Sequence, residues 1–221
     1  MLPQYHDARH AVRDTVIDLV KNLAETNKIA LEAMKKRDAS LLEIARNGLK
    51  EMASVTEKID NDIVLIFAKF TPGARDLREM VSYLKVTSAL NRIRNNVNSY
   101  LKNMQGVLDE ESSDVKTLID DSLRINKCTL DAFEFTIEML NTFEDDDKIK
   151  KLASKIAVEY SKTEDIYSLL EKDMVQKMND AEGNAQEYFN LLKYFRKNLK
   201  IIDRLDSIAQ RVIFARMGGK L

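Results

Sequence analysis

Two histidines, His6 and His10, lie four residues apart, a spacing that puts both imidazoles on one helical face where they could share a metal ion. They are the only histidines in the 221 residues and fall close to the N-terminal end, so two exposed polar side chains are the simpler reading. A carboxylate di-metal centre in a helical bundle needs Glu-x-x-His on two helices, and no histidine follows position 10. A serine-hydrolase triad lacks its base for the same reason, and neither the Walker A nor the dinucleotide glycine pattern occurs. Cys128 is alone, so no intrachain disulfide can form, which fits a reducing compartment. Its neighbours Asn126 to Leu130 read as helix, making it a buried and inert thiol rather than a nucleophile. The chain reads as a non-enzyme.

The other residues with chemical potential are charges. Lys193, Arg196, Lys197, Lys200, Arg204, Arg211 and Arg216 outnumber Asp203 and Asp206 in one stretch near the C-terminus. Such a bias could engage phosphate, anionic headgroups or an acidic partner; a solvated face whose cations oppose a helix dipole is the more ordinary reading. Tyr188, Phe189, Tyr194 and Phe195 share the stretch, and core packing explains the phenylalanines more simply than base stacking does. Over the whole chain 35 Lys and Arg face 36 Asp and Glu, so no general field draws it to nucleic acid or anionic lipid.

The elements that carry these residues are helices. An apolar fraction of 44% and a charged fraction of 32% suit long amphipathic helices, and six Gly with two Pro are too few for a β-sandwich or a doubly wound fold. Val12, Val16, Leu19 and Leu23 form a stripe in a first helix that runs to Lys36, where Arg37-Asp38-Ala39-Ser40 offers a break and a cap. A second helix is expected over 41–69. Thr71-Pro72-Gly73 then interrupts, with Thr71 as N-cap and Pro72 in first position, and a third helix runs from Ala74 to about Leu108. The polar segment 109–114 is the most linker-like in the chain, with Ser113 or Asp114 capping a fourth helix. An acidic break at 144–147 precedes a fifth helix from about Lys148 to Met178, and a turn at 179–184 precedes a sixth that stops at Gly218-Gly219. That sixth helix carries two apolar stripes, one through Phe195 and Ile202 and one through Ile201, Leu205, Ile208 and Val212. Six helices of about 30 residues, each ~45 Å long, joined by short links, must pack antiparallel. The expected fold is all-α: two tandem three-helix bundles, residues 1–110 and 111–221, related as an internal repeat.

The longest apolar run, Ile63 to Ala68, is far short of the ~20 residues of a spanning helix, and the first 30 residues carry polar groups throughout. The expected location is therefore the cytoplasm, with membrane association only through partners. Long amphipathic helices can bury a further stripe in a homodimer.

Residues 59–102 resemble the PhoU family of phosphate-uptake regulators. The family pattern is an Ile-Asp pair, an apolar helix end, Pro-x-Ala-x-Asp-Leu-Arg, then a helix ending in Leu-Glu-Arg-Ile-Gly-Asp. Ile59-Asp60, Pro72, Ala74, Asp76, Leu77 and Arg78 match the first elements, and Leu90, Arg92 and Ile93 match the last. A second, partial copy, Ile202-Asp203-Arg204-Leu205, lies half a chain length further on. The resemblance implies two three-helix bundles and a regulatory adaptor that contacts a phosphate transporter and its sensor histidine kinase. Alternatives are a metal-binding helical protein and an accessory scaffold of another transporter.

Many members of that family also carry acidic pairs, one helical turn apart, that bind iron or zinc clusters. Here the third-helix pair falls on Asn91 and Asn95, neutral amides and weak ligands, and the second-helix pair near Leu49 and Ala53, which cannot ligate. In the second half Asp203 pairs with Ser207 and Glu159 with Thr163, each pair half retained, and Asp206 lies one turn from Asp203. The first metal site thus reads as abolished and the second as weakened, leaving Glu159, Asp203 and Asp206 as candidate ligands. Solvated acids pairing with Arg204 or nearby lysines are the plainer reading.

Overall fold

The computed structural model describes residues 3–108, 112–142, 145–180 and 185–219. The described residues form seven helices and no strand: α1 (Pro3–Lys36), α2 (Ala39–Gly48), α3 (Met52–Lys69), α4 (Ala74–Gln105), α5 (Ser113–Asn141), α6 (Asp146–Asp180) and α7 (Ala185–Met217). The fold is all-α, as composition and periodicity required.

Each boundary has a local cause. α1 ends because Arg37 turns into the left-handed region (φ 52°), which lets the Asp38 N–H reach Ala33 O at 2.9 Å. Asp38 then caps α2, its carboxylate accepting from the Ser40 and Leu41 N–H groups at 2.9 and 3.3 Å. The single helix expected over 41–69 is instead broken at 49–51. Gly48, a weak helix former, ends α2, and the N–H groups of Leu49 and Lys50 fall back on the carbonyls of Arg46 and Asn47. Leu49 is buried by the bend and Lys50 is left exposed.

α4 begins at Ala74 as expected, but its cap is Gly73 and not Thr71, so Pro72 stands just outside the helix rather than in its first position. Pro72 still serves the boundary, because it steers the preceding residue away from helical geometry. α5 is capped by Ser112, whose hydroxyl accepts from Val115 N–H at 3.4 Å, one residue before the expected cap; residues 109–111 of that linker lie outside the described residues. Asp145 accepts from Lys148 N–H at 2.8 Å and starts α6 at Asp146, two residues early. Asn179 and Asp180, expected in a turn, continue α6, while residues 181–184 lie outside the described residues. α7 stops where Gly218 and Gly219 take φ of 79° and 105°, a conformation that costs glycine nothing.

The first four helices pack on one another, as do the last three, and the groups meet where α4 runs along α7 and α1 along α5. One continuous apolar core results. α7 is enclosed by α4, α5 and α6, which is why both its stripes are apolar: Phe195, Ile201, Ile202, Leu205, Ile208, Ala209 and Val212 are all buried. In this core the Asn198 amide of α7 donates to Asn126 Oδ1 of α5 at 2.7 Å, and Tyr100 of α4 donates to the same oxygen at 3.3 Å.

Candidate functional site

The motif residues of the first half sit at the joints of the bundle. Asp60 on α3 accepts from the Thr87 hydroxyl on α4 at 2.6 Å, linking the two helices. Asp76, in the first turn of α4, lies 2.5 Å from Arg9 Nη1 of α1, and Arg9 Nε lies 3.4 Å from Glu79. Tyr5 packs edge-on against Phe70 with ring centroids 5.4 Å apart; burial, then the Asp76 charge, pushes its hydroxyl up to about 12. Arg78 runs past the open side of Gly218 at the end of α7. Leu77 is 43% exposed. Asp76 therefore fastens the start of α4 to the start of α1, while the Arg78 side chain lies beside the end of α7, its Nε buried without a partner.

Two of the positions weighed as metal-pair sites, Leu49 and Asn95, lie in the lining of a cleft. The break after α2 faces α4 across an open cleft of about 430 Å³, whose polar lining includes Glu43, Arg46, Lys50, Arg94, Asn95 and Asn98. Arg46 donates to Asn98 Oδ1 at 3.5 Å and to Gln105 Oε1 at 3.2 Å, and Arg94 to Asn95 Oδ1 at 3.1 Å. Arg46, Lys50 and Arg94 escaped the sequence reading, although Arg46 and Lys50 share an i, i+4 spacing. What was hidden is the bend at 49–51 that sets them opposite α4.

The second-half acids divide between two seams. Glu159, 8% exposed on α6, accepts from Lys162 Nζ at 2.6 Å and lies beside Cys128 and Asp131 of α5. Burial, then Glu159, pushes the Cys128 thiol up, away from the reactive thiolate; the side chain is half-buried rather than fully enclosed. Asp131 is raised by the same two causes. Thr163 donates back to the Glu159 carbonyl at 2.8 Å. Asp203 and Asp206 on α7 keep company instead with Tyr160 and Glu164; burial, then the bond to Glu164, pushes Tyr160 up to about 12. Asp206 is raised by burial and by Asp203, and its Oδ1 has no partner. Ser207 accepts from Arg211.

Iron and zinc sites need three or more convergent anionic or imidazole ligands. Among the described residues no three His, Cys, Asp or Glu side chains are placed to hold one ion. With amides at 91 and 95 and Glu159 already bound to Lys162, the donor set does not fit the family's clusters. His6 and His10 are exposed on α1.

The matching arginines of the two half-chain signatures come to one place. Arg92 on α4 and Arg204 on α7 both lie near Arg211, whose charge is disfavoured by burial and then by these two neighbours. Arg204 Nη1 also lies 3.7 Å from Asp203. No described helix is long and apolar enough to cross a membrane.

Comparison with known proteins agrees with this architecture. Residues 16–103 match the family model described as the PhoU domain. The structure of the phosphate transport system regulatory protein PhoU from Streptococcus pneumoniae superposes with a TM-score of 0.82 at 17% identity, covering 98% of this chain and 99% of that one. PhoU from Pseudomonas aeruginosa gives 0.76 at 21% identity, covering 96% and 98%. A putative PhoU-like phosphate regulatory protein from Shewanella oneidensis MR-1 gives 0.67 at 11%, covering 92% and 97%. No match was found among curated protein sequences. Residues 16–103 thus carry a PhoU domain, and nearly the whole chain takes the fold of the solved PhoU proteins.

Proposed function

We propose that this protein is a non-catalytic regulator of phosphate transport, acting by contact with a phosphate transporter component, its sensor histidine kinase, or both. The observation that supports this most is the PhoU domain at 16–103 with its Asp-Leu-Arg element built into the joints of the bundle. Such a protein transmits a signal by binding two states of its partner unequally, the difference in affinity being the signal. A scaffold with one continuous apolar core suits that role, with 1–110 and 111–221 as its two repeat units in this reading. The reading includes a homodimer: Val158, Leu169 and Val175 leave apolar surface exposed along α6.

Deleting the gene tests the reading. Phosphate uptake and phosphate-responsive transcription should both lose their response to external phosphate, and the plasmid-borne gene should restore it. Unchanged uptake and transcription would remove the reading. Crosslinking in cells separates the transporter from the kinase as the direct contact, and light scattering in solution reports the oligomeric state.

A further inference from the structure

The cleft between the α2–α3 break and α4 concentrates positive charge in a chain whose net charge is −1. Arg46, Lys50 and Arg94 line it against one carboxylate, Glu43. Among the described residues none of the three cations is ion-paired: the recorded acceptors of Arg46 and Arg94 are amide oxygens, and Arg94 Nε is buried with no partner at all. Unmatched guanidinium nitrogens also occur at Arg37, Arg78, Arg204 and Arg216, but at Arg94 the unmatched N–H shares one open cleft with two further cations that hold no carboxylate, and that combination asks for an acceptor from outside the chain. No such convergence of unpaired cations accompanies Lys148, Lys162 or Arg9, each of which already holds a carboxylate.

We propose that this cleft is a binding site for a phosphoryl oxyanion, free phosphate or a small phosphate monoester. Two guanidinium groups and one ammonium line the cleft and can supply charge-assisted donors to phosphate oxygens. Glu43 gives the site discrimination. Inorganic phosphate at neutral pH retains a P–OH that can donate to a carboxylate, as does the monoanion of a monoester below its second pKa of about 6, whereas sulfate has no proton and is repelled. Binding depends on the cleft's own side chains and not on the regulation of transport: the first is read on purified protein and the second in cells, so each can fail alone.

The experiment is an NMR titration of the full chain with inorganic phosphate, glycerol 3-phosphate and sulfate at constant ionic strength. Saturable shifts at Lys50, Arg94 and Asn95 are expected with phosphate or the monoester, and whichever binds tighter identifies the source. Lys50→Gln, at an exposed position that leaves folding intact, and Arg94→Gln should each weaken binding about tenfold, the worth of one charge-assisted hydrogen bond. Lys58→Gln, outside the cleft, should not. Glu43→Gln should narrow the preference over sulfate. Unsaturable shifts, shifts indifferent to Lys50→Gln, or sulfate binding equal to phosphate would overturn the assignment.

Discussion

Asp76 Oδ1 lies 2.5 Å from Arg9 Nη1, so the first turn of α4 is tied to the N-terminal part of α1 by a partly buried ion pair between residues 67 positions apart. Glu79 shares the same guanidinium at 3.4 Å. Truncating Asp76 leaves Arg9 with the longer contact alone. Asp76→Ala should lower the free energy of unfolding by about 1–3 kcal/mol. A double-mutant cycle with Arg9→Ala, followed by urea unfolding, should show a coupling of about 1 kcal/mol; additive effects would show that the pair contributes nothing of its own.

The neighbouring tyrosine gives an alkaline signature. Tyr5 is raised from 10.0 to about 12 in the folded chain, so the fold favours its neutral form. That contribution to stability is complete below pH 10 and disappears as pH rises through about 12. Tyr5→Phe should flatten part of the decline in melting temperature between those values. An ultraviolet tyrosinate titration of native protein, compared with Tyr5→Phe, would show whether the late-titrating phenol is this one.

Asn126 sits in the core where α4, α5 and α7 meet, accepting from Asn198 and Tyr100. Asn126→Ala strands both donors and opens a small cavity, and should destabilise by about 2–4 kcal/mol. Replacing both Asn126 and Asn198 by Leu should cost less than the two single changes summed, because the donor and its acceptor leave together. Chemical denaturation of the three variants decides; strict additivity would deny the network.

Asp206 is an acid the fold would prefer protonated. Burial and the nearby Asp203 raise it, so its favourable contribution is present at pH below the usual carboxylate range and is lost as pH rises through the elevated value. At neutral pH it is ionised at a cost. Asp206→Asn should therefore raise the melting temperature at pH 7 and lose that advantage at pH 3. A fall in melting temperature at pH 7 would mean that the carboxylate holds a stabilising partner.

Side-chain periodicity made the helices legible because a stripe at three- and four-residue spacing leaves a helix no other way to hide its apolar side. Boundaries at 36–39, 70–74 and 218 were equally legible, since Asp38, the Pro72-Gly73 pair and Gly218 act through their own backbone and nearest neighbours. Thr71 is not the cap because Gly73 closes the turn with its carbonyl alone, Leu77 N–H reaching it at 2.9 Å.

An all-helical chain with a PhoU pattern is legible in the residues alone, because local spacing dictates helix faces and because Asp76 and Arg78 stand in a recognisable string. Which charges are already in use emerges only when the helices pack. Asp76 is bound to Arg9 and Glu159 to Lys162, while Arg46, Lys50 and Arg94, unremarkable in sequence, face a cleft whose one carboxylate, Glu43, is ion-paired with none of them. The reason is physical: a helix fixes the direction of a side chain from its neighbours, but the partner of a charge is set by how separate helices cross, and by a bend at 49–51 that no periodicity records.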